Sequence, residues 1–192
     1  MKIYDISQEV FSCKVYPGDP KPERQTLYAT ENGDLYNLTA FSVCAHNGTH
    51  IDAPFHFFGE GKTVNQMDLQ TFIGDCYVAR HNGDVTGAEA VAILQKANHA
   101  PRILIAGPAI VTPEAAEVFA NSGICLVGNE SQSVGPENAP MQVHKILLAK
   151  DIALLEGAVL TDVPEGHYFL SAAPLNLGGA DGAPCRAYLI EK

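Results

Sequence analysis

The pattern of apolar and polar residues predicts short strands at both ends of the chain. The segment KIYDI at 2–6 has the alternation of a strand, and later runs are rich in β-branched and aromatic residues. Those runs lie at 24–30, 35–45, 75–80, 151–157, 167–173 and 185–191. The two ends of the chain are therefore expected to be mainly β.

The middle of the chain alternates between strands and helices. Thr86 and Glu89 form the sequence of a capping box before an apolar helical run. Thr112 and Pro113 give a second helix start, and Gly123 follows its end. Buried-type strands at 102–107 and 124–128 follow these helices, and 141–149 predicts a third helix. A β-α-β-α-β order favours parallel strands, so we expect an α/β fold with a mixed sheet.

Composition narrows the class of protein. A chain of 192 residues with 46% hydrophobic content predicts one domain over residues 1–192. A formal net charge of −10 argues against binding to nucleic acid or to an anionic membrane. The five cysteines show no C-x-x-C spacing, and the first residues lack the apolar run of a signal peptide. We therefore expect a cytoplasmic protein with reduced thiols.

The segment HNGTHIDAPFHF at 46–57 holds three of the seven histidines. Four side chains that can bind metals occupy even positions: His46, His50, Asp52 and His56. In an extended strand, residues of one parity share a face, and the odd positions here are mostly apolar and suit a core. Gly48 and Pro54 must bend the strand. Imidazole and carboxylate are preferred ligands of zinc and similar ions, so a metal site is predicted.

Three ligands from one segment leave the coordination of a metal incomplete, so further ligands are expected far away in sequence. His81 lies in a turn signal, His99 near a helix end and His167 at a strand start, which favours structural or surface positions. His144 on a short apolar helix and Glu156 at the end of an apolar strand are the other candidates. The residues alone leave this choice open.

The segment HNGTHIDAPFHF resembles the signature of the cyclase-like metal-dependent hydrolases, the family of the bacterial kynurenine formamidases of tryptophan catabolism. The segments YDIS, YPGD and GADGAPCRAYL resemble family segments in the same order, so the resemblance covers nearly the whole chain. It implies a compact domain of the swivelling β/β/α type that forms a homodimer or homotetramer. It also implies two divalent metal ions per chain, zinc or alternatively manganese.

The resemblance assigns a role to each site residue. The implied metal ligands are His46, His50, Asp52, His144 and Glu156. His56 would be the catalytic acid and base, and Tyr16 would contact the substrate. Formamidases typically have tryptophan where this chain has Tyr16, and this chain contains no tryptophan. The metal chemistry is therefore better supported by the resemblance than the substrate is.

The predicted activity is hydrolysis of the C–N bond of an aryl formamide by metal-activated water. The small-molecule substrate would be of the N-formylkynurenine type, giving kynurenine and formate. A first alternative is a hydrolase of another cyclic or aryl amide, similar to isatin hydrolase. A second is a metal-binding or ligand-binding protein without catalysis, which would tolerate His56 as a ligand or as a core residue. A serine hydrolase is disfavoured because the chain has no G-x-S-x-G motif.

Overall fold

The computed structural model describes residues 1–191, and a nine-stranded mixed sheet forms its centre. The strands are β1 (Lys2–Asp5), β2 (Glu23–Tyr28), β3 (Leu38–Ser42), β4 (His50–Asp52), β5 (Ile73–Arg80), β6 (Gly83–Val85), β7 (Arg102–Ala106), β8 (Ala109–Val111), β9 (Leu126–Asn129), β10 (Ala153–Glu156), β11 (Gly166–Ser171), β12 (Gly182–Pro184) and β13 (Tyr188–Glu191). The helices are α1 (Gly87–Ala97), α2 (Pro113–Ala120) and α3 (Met141–Leu148).

The order of strands in the large sheet is β1-β13-β11-β5-β7-β9-β10-β4-β12. The neighbouring strands β5, β7, β9 and β10 run parallel, whereas the pairings on both sides of this group are antiparallel. The parallel part comes from the alternating middle of the chain and the antiparallel parts come from its two ends. The predicted α/β class with a mixed sheet is therefore confirmed.

The helix starts follow their capping residues. The side chain of Thr86 accepts a hydrogen bond from the amide of Glu89, whose carboxylate accepts one from the amide of Thr86. Thr112 caps α2 through the amide of Ala115, with Pro113 at the first helical position. Both predicted helix starts are confirmed. No helix within residues 1–191 is long and apolar enough to cross a membrane.

The large sheet separates two hydrophobic layers. Along β7, Ile103 and Ile105 pack into the layer that contains the three helices, while Leu104 and Ala106 pack into the layer on the other face. All of these residues are buried, which is typical of a central parallel strand covered on both faces. A rigid core therefore supports the strand ends that carry the polar residues of the site.

The register of β4 brings distant parts of the chain together. This strand lies between β10 and β12, where His50 pairs with Glu156 and Asp52 pairs with Gly182. The paired strand in the histidine segment has only three residues, because Gly48 has a φ of +67° and Pro54–His56 forms a 3₁₀ turn. The predicted strand is thus shorter than the even-odd pattern, which covers twelve residues.

A two-stranded hairpin, β2 paired with β3, stands apart from the large sheet. Every residue of β2 and four of the five residues of β3 are exposed. Large apolar side chains lie on the hairpin and its loop: Leu27, Tyr28, Leu35, Tyr36, Leu38 and Phe41. An isolated hairpin of two strands is only marginally stable in water, and exposed apolar patches of this kind are common at interfaces.

Candidate active site

Strand β4 supplies two buried side chains that point to the same side, as their even numbers predicted. The Nδ1–H of His50 donates to the carbonyl oxygen of Gly48 at 3.0 Å, which directs Nε2 toward the carboxylates. That Nε2 lies 3.4 Å from Oδ1 of Asp52 and 3.5 Å from Oε2 of Glu156. The side chains of His50 and Asp52 are each only 1% exposed. Two carboxylates and an imidazole thus meet away from bulk water.

Helix α3 and strand β10 supply the next pair. The Nδ1 of His144 bonds the carbonyl oxygen of Pro140, one helical turn earlier, at 2.9 Å. Its Nε2 lies 3.1 Å from Oε1 of Glu156 and 3.5 Å from Oδ2 of Asp52. The amide of Val134 also donates to Oε1 of Glu156, at 2.7 Å. Both distant candidates from the sequence therefore reach the group formed by β4.

The glycines beside this group allow a close approach of two backbones. Thr49 donates its hydroxyl to the carbonyl oxygen of Gly157 at 2.6 Å. A Cβ atom at Gly157, which has a φ of +65°, would lie 2.5 Å from the carbonyl oxygen of Gly48. Only glycine fits at this position. The contact fixes the start of the histidine segment against the end of β10.

One site residue, Asp181, was missed by the sequence analysis. Its Oδ2 lies 2.9 Å from Nε2 of His46 and 3.0 Å from Nδ1 of His56. The other ring nitrogen of His46, Nδ1, lies 2.8 Å from Oδ1 of Asp52. The available signal was the GADG segment before β12, whose aspartate had been given no role. Pairing of β12 with β4 brings this aspartate to the two histidines.

Protonation of the histidines follows from the surrounding carboxylates. The pKa is raised to about 11 in His46, about 9 in His50 and about 10 in His144. Burial by itself lowers each of these pKa values, but the nearby carboxylates of Asp52, Glu156 and Asp181 outweigh burial. For Asp52, burial by itself raises the pKa, but the three histidines outweigh burial and hold the pKa well below its usual value. The site therefore favours bound positive charge, which protons or metal ions can supply.

The geometry of these residues fits a metal site, independently of any family resemblance. Two groups of side chains each bring three ligand atoms within 4.8 Å of one another: His46, Asp52 and His56 in the first, and His50, Asp52 and Glu156 in the second. Asp52 is common to both groups. The buried atoms Nε2 of His50 and Oδ2 of Asp52 have no hydrogen-bond partner. Buried polar atoms without partners are costly, and a cation between them would satisfy both.

A cavity of about 200 Å³ opens onto this group. Its walls include Tyr16, His56, Phe57, Ser133 and His144. Phe57, predicted from its odd position to face the core, packs against the helix-containing layer and also lines the cavity, because the turn at Pro54–His56 redirects the chain. The hydroxyl of Tyr16 donates to the main-chain oxygen of Glu137 at 2.6 Å.

The structure brings together all six residues predicted for metal binding and acid–base chemistry. His56 lies against the proposed metal ligands: the centre of its ring is 4.2 Å from that of His46. The side chain of His56 is 27% exposed, against 14% for His46. The roles assigned to both residues stay predictions. His99 and His167 line a separate surface cavity, in agreement with their exclusion from the site.

Comparisons with known proteins identify the family. Residues 4–103 match the family described as "Putative cyclase". The kynurenine formamidase of Erythrobacter litoralis (strain HTCC2594) is 34% identical over 204 residues, which cover 99% of this chain and 94% of that protein. The chain belongs to the cyclase family. The resemblance found in its sequence is thereby confirmed.

Solved structures agree with this membership. A cyclase-family structure described as a potential metal-dependent hydrolase with cyclase activity is 28% identical, with a TM-score of 0.83 over 98% of this chain and 96% of that one. Isatin hydrolase A from Labrenzia aggregata also has a TM-score of 0.83, over 100% of this chain and 94% of that one. At 18% identity, its likeness concerns the fold alone. The prediction of an enzyme of the hydrolase class is confirmed by these relatives.

Proposed function

We propose that this cyclase-family protein hydrolyses an aryl formamide of the N-formylkynurenine type, releasing formate and an aryl amine such as kynurenine. The kynurenine formamidase relative, which aligns with nearly the whole chain, supports a hydrolase that acts on the C–N bond of an amide. The observation that carries the proposal is the pair of ligand groups sharing Asp52 beside a cavity. Such a pair combines a metal centre with room for a small substrate.

The ligands in this proposal are His46, His50, Asp52, His144 and Glu156, holding two divalent ions of zinc or alternatively manganese. Bound there, such ions lower the pKa of a water molecule and polarise a carbonyl group. Asp52 would contribute to both groups of ligands, because each of its oxygens faces a different histidine: Oδ1 lies 2.8 Å from Nδ1 of His46, and Oδ2 lies 3.5 Å from Nε2 of His144.

His56 transfers the proton from the attacking water to the leaving group in this proposal. Because its Nδ1 faces Asp181, the neutral ring keeps Nε2 as its basic nitrogen. From the cavity wall, this nitrogen can take the proton that the attacking water gives up and pass it to the leaving aryl nitrogen. A leaving aniline needs that proton, because its anion is a strong base. His56 is thus proposed as general base first and general acid second.

The aromatic walls position the substrate. Phe57 and Tyr16 line the cavity and offer ring faces on which an aryl group can stack. The Tyr16 hydroxyl already bonds Glu137, so it ties the entrance of the cavity to the loop after β9. Selection of an aryl substrate is therefore proposed to rest on ring contact, with the formamide group directed toward the carboxylates.

Turnover measurements test the proposal. The protein is loaded with zinc or manganese and assayed with N-formylkynurenine, simpler aryl formamides, isatin and lactones, with His50→Asn as the control that lacks the site. We expect aryl formamides to give the highest kcat/KM, and no activity from His50→Asn. Preference for isatin would favour the alternative of a cyclic-amide hydrolase. Absence of turnover on every C–N substrate by the fully loaded protein would contradict the proposal.

A homo-oligomeric state, dimer or tetramer, is proposed on the basis of the β2–β3 hairpin. Tyr36 and Phe41 are 56% and 63% exposed there. Burial of such aromatic surface against a second copy would stabilise a hairpin that makes few contacts of its own. Light scattering on the purified protein should give a multiple of the 20.5 kDa chain, and Tyr36→Lys with Phe41→Lys should reduce it. A monomeric wild type would contradict this.

A cytoplasmic location is also proposed. All five cysteines are free thiols in the structure, and of these Cys76 is buried. Free thiols are typical of proteins that work in a reducing compartment. Cell fractionation with a marker enzyme for each compartment is the direct measurement, and recovery outside the cytoplasmic fraction would contradict the proposal.

A further inference from the structure

The hydroxyl of Ser133 is buried but has no hydrogen-bond partner. The residue is 2% exposed, and it lines the same cavity as Asp52, His56 and Glu156. Within residues 1–191, it is one of four buried side-chain atoms without a partner, the others being Nε2 of His50, Oδ2 of Asp52 and Oδ1 of Asn129. The two atoms on His50 and Asp52 belong to the proposed metal ligands. Ser133 is the remaining one that lies on the cavity wall.

The main chain around Ser133 is fixed on both sides. Its carbonyl oxygen accepts a hydrogen bond from Nδ2 of Asn129 at 3.2 Å. The next amide, of Val134, donates to Oε1 of Glu156 at 2.7 Å. These bonds attach the segment to β9 and to β10. The main chain that carries the hydroxyl is therefore fixed at the wall of the cavity, and the hydroxyl bonds to neither carboxylate.

An unpaired hydroxyl on the wall of a cavity that also holds two carboxylates is unexpected, because a hydroxyl donates readily to an anionic oxygen and leaving it unpaired costs free energy. Glu156 instead takes its hydrogen bond from the amide of Val134, and Asp52 pairs with histidines. A hydroxyl is also a weaker metal ligand than the imidazoles and carboxylates that surround it. A donor kept free in a cavity is suited to an acceptor on a ligand.

We infer that Ser133 is a catalytic residue whose hydroxyl donates a hydrogen bond to the carbonyl oxygen of the amide substrate. This inference rests on the proposed function. The carbonyl oxygen gains negative charge when water adds to the carbon, so a fixed donor binds the transition state more strongly than the substrate. The serine forms no covalent bond and transfers no proton. Its contribution is directed at kcat more than at KM.

The experiment compares the wild type with Ser133→Ala on an aryl formamide and on the matching thioformamide, with metal content measured in both proteins. Loss of one such donor typically lowers kcat by about 10² to 10³. Sulfur is a poor hydrogen-bond acceptor, so the loss on the thioformamide should be much smaller. The ratio of the two losses isolates the contact between the hydroxyl and the carbonyl oxygen. Ser133→Cys, which keeps the shape but is a weak donor, should show an intermediate loss.

A second readout needs neither substrate nor metal. If the hydroxyl has no structural partner, the melting temperature of the metal-free Ser133→Ala protein should equal or exceed that of the wild type. Ser131→Ala is the matched control for loop structure, because the Ser131 hydroxyl donates to Glu137 and accepts a long hydrogen bond, at 3.4 Å, from the Ser133 amide without contacting the Ser133 hydroxyl. It should keep its activity on both substrates.

Failure of the inference about Ser133 can be distinguished from failure of the proposed function. Full activity of Ser133→Ala overturns the inference alone, and so does a loss that is equal on the oxygen and sulfur substrates. An equal loss in Ser131→Ala, or a lower melting temperature of the metal-free Ser133→Ala protein, would assign the effect to loop structure and also overturn it. If the loaded wild type hydrolyses no amide, the proposed function fails and the inference fails with it.

Discussion

The carboxylate of Asp181 lies 3.0 Å from Nδ1 of His56 and fixes the orientation of that ring. The same oxygen, Oδ2, lies 2.9 Å from Nε2 of His46. One side chain thus holds a proposed metal ligand and the proposed acid–base residue together. Contact with both histidines keeps the pKa of Asp181 well below its usual value, mainly through the hydrogen bonds to His46 and His56. Asp181 therefore stays anionic and remains an acceptor at every pH at which the enzyme would be assayed.

Replacing Asp181 tests this arrangement. Asp181→Asn keeps the shape but removes the charge that orients the two rings, and changes to such supporting carboxylates typically cost about 10- to 100-fold in metal affinity or activity. We expect kcat/KM to fall in this range and metal affinity, measured by competition with a chelator, to weaken. Asp162→Asn is the control, since Asp162 is exposed and outside the cavity. Unchanged activity and unchanged affinity would exclude Asp181 as a positioning residue.

Substitution of His56 separates proton transfer from metal binding. If His56 is the acid and base, His56→Asn should keep both metals and lose about 10² to 10⁴ in rate, with the smallest loss on substrates that have good leaving groups. His50→Asn should lose metal and activity together, because His50 is central to one ligand group. His99→Asn is a matched control on a distant surface. Elemental analysis beside each rate gives the answer.

Two results would contradict that assignment of His56. His56 belongs to a group whose ligand atoms lie within 4.8 Å of one another, so a variant stripped of metal would show that His56 is a ligand. Retention of full turnover on a substrate with a poor leaving group would show that no proton passes through it. The first result would favour a binding role for the residue, and the second would require another proton donor in the cavity.

Much of the fold could be predicted from local signals. The caps at Thr86 and Thr112 and the short apolar runs between them were sufficient for α1, α2 and the parallel strands, because each signal acts within a few residues. The three-residue strands β4 and β12 were harder to predict. They are set by pairing with each other and with β10, which are distant in sequence. Such pairings depend on the whole sheet and not on local propensity.

Some residues of the site could likewise be predicted from local sequence, whereas others depend on the folded chain. His46, His50 and Asp52 could be identified as metal-binding candidates from their spacing, since they lie within seven residues of one another. His144 and Glu156 needed the family resemblance, because neither has a local pattern that marks a ligand. Asp181 was missed because its role arises only when β12 pairs with β4. The unpaired hydroxyl of Ser133 is likewise a property of the folded chain, which no sequence pattern records.

The identity of residue 16 is expected to control substrate preference. Tyr16 stands where formamidases typically have tryptophan, and its ring lines the cavity. We predict that the wild type prefers aryl formamides other than N-formylkynurenine, and that Tyr16→Trp shifts kcat/KM toward N-formylkynurenine by about tenfold, as is usual for a change of apolar contact. Tyr16→Phe is the control, because it removes only the hydrogen bond to Glu137. A wild type that already prefers N-formylkynurenine, with no response to Tyr16→Trp, would exclude the role.

Metal binding should release protons near pH 7. In the metal-free protein His46, His50 and His144 have pKa values of about 11, 9 and 10, so all three are protonated there. A metal ion needs neutral imidazole, and loading therefore displaces up to three protons per chain. Calorimetry of zinc binding in two buffers that differ in ionisation enthalpy measures this number, and elemental analysis of the product should approach two ions per chain.

The same pKa values fix the direction of two pH effects. Metal affinity should rise with pH up to about 11, because the three imidazoles must lose their protons before they can bind the ion. The stability of the metal-free protein should change in the opposite direction. Each of the three histidines has a higher pKa in the folded chain than its unfolded value of about 6.5, so its protonation stabilises the folded state. This contribution is complete below pH 6.5 and is lost as pH rises through about 9 to 11. Metal binding without proton release would contradict the proposed site, because its ligands could not then be the protonated histidines of the metal-free form. Binding of one ion per chain at every excess of metal would contradict a site for two ions.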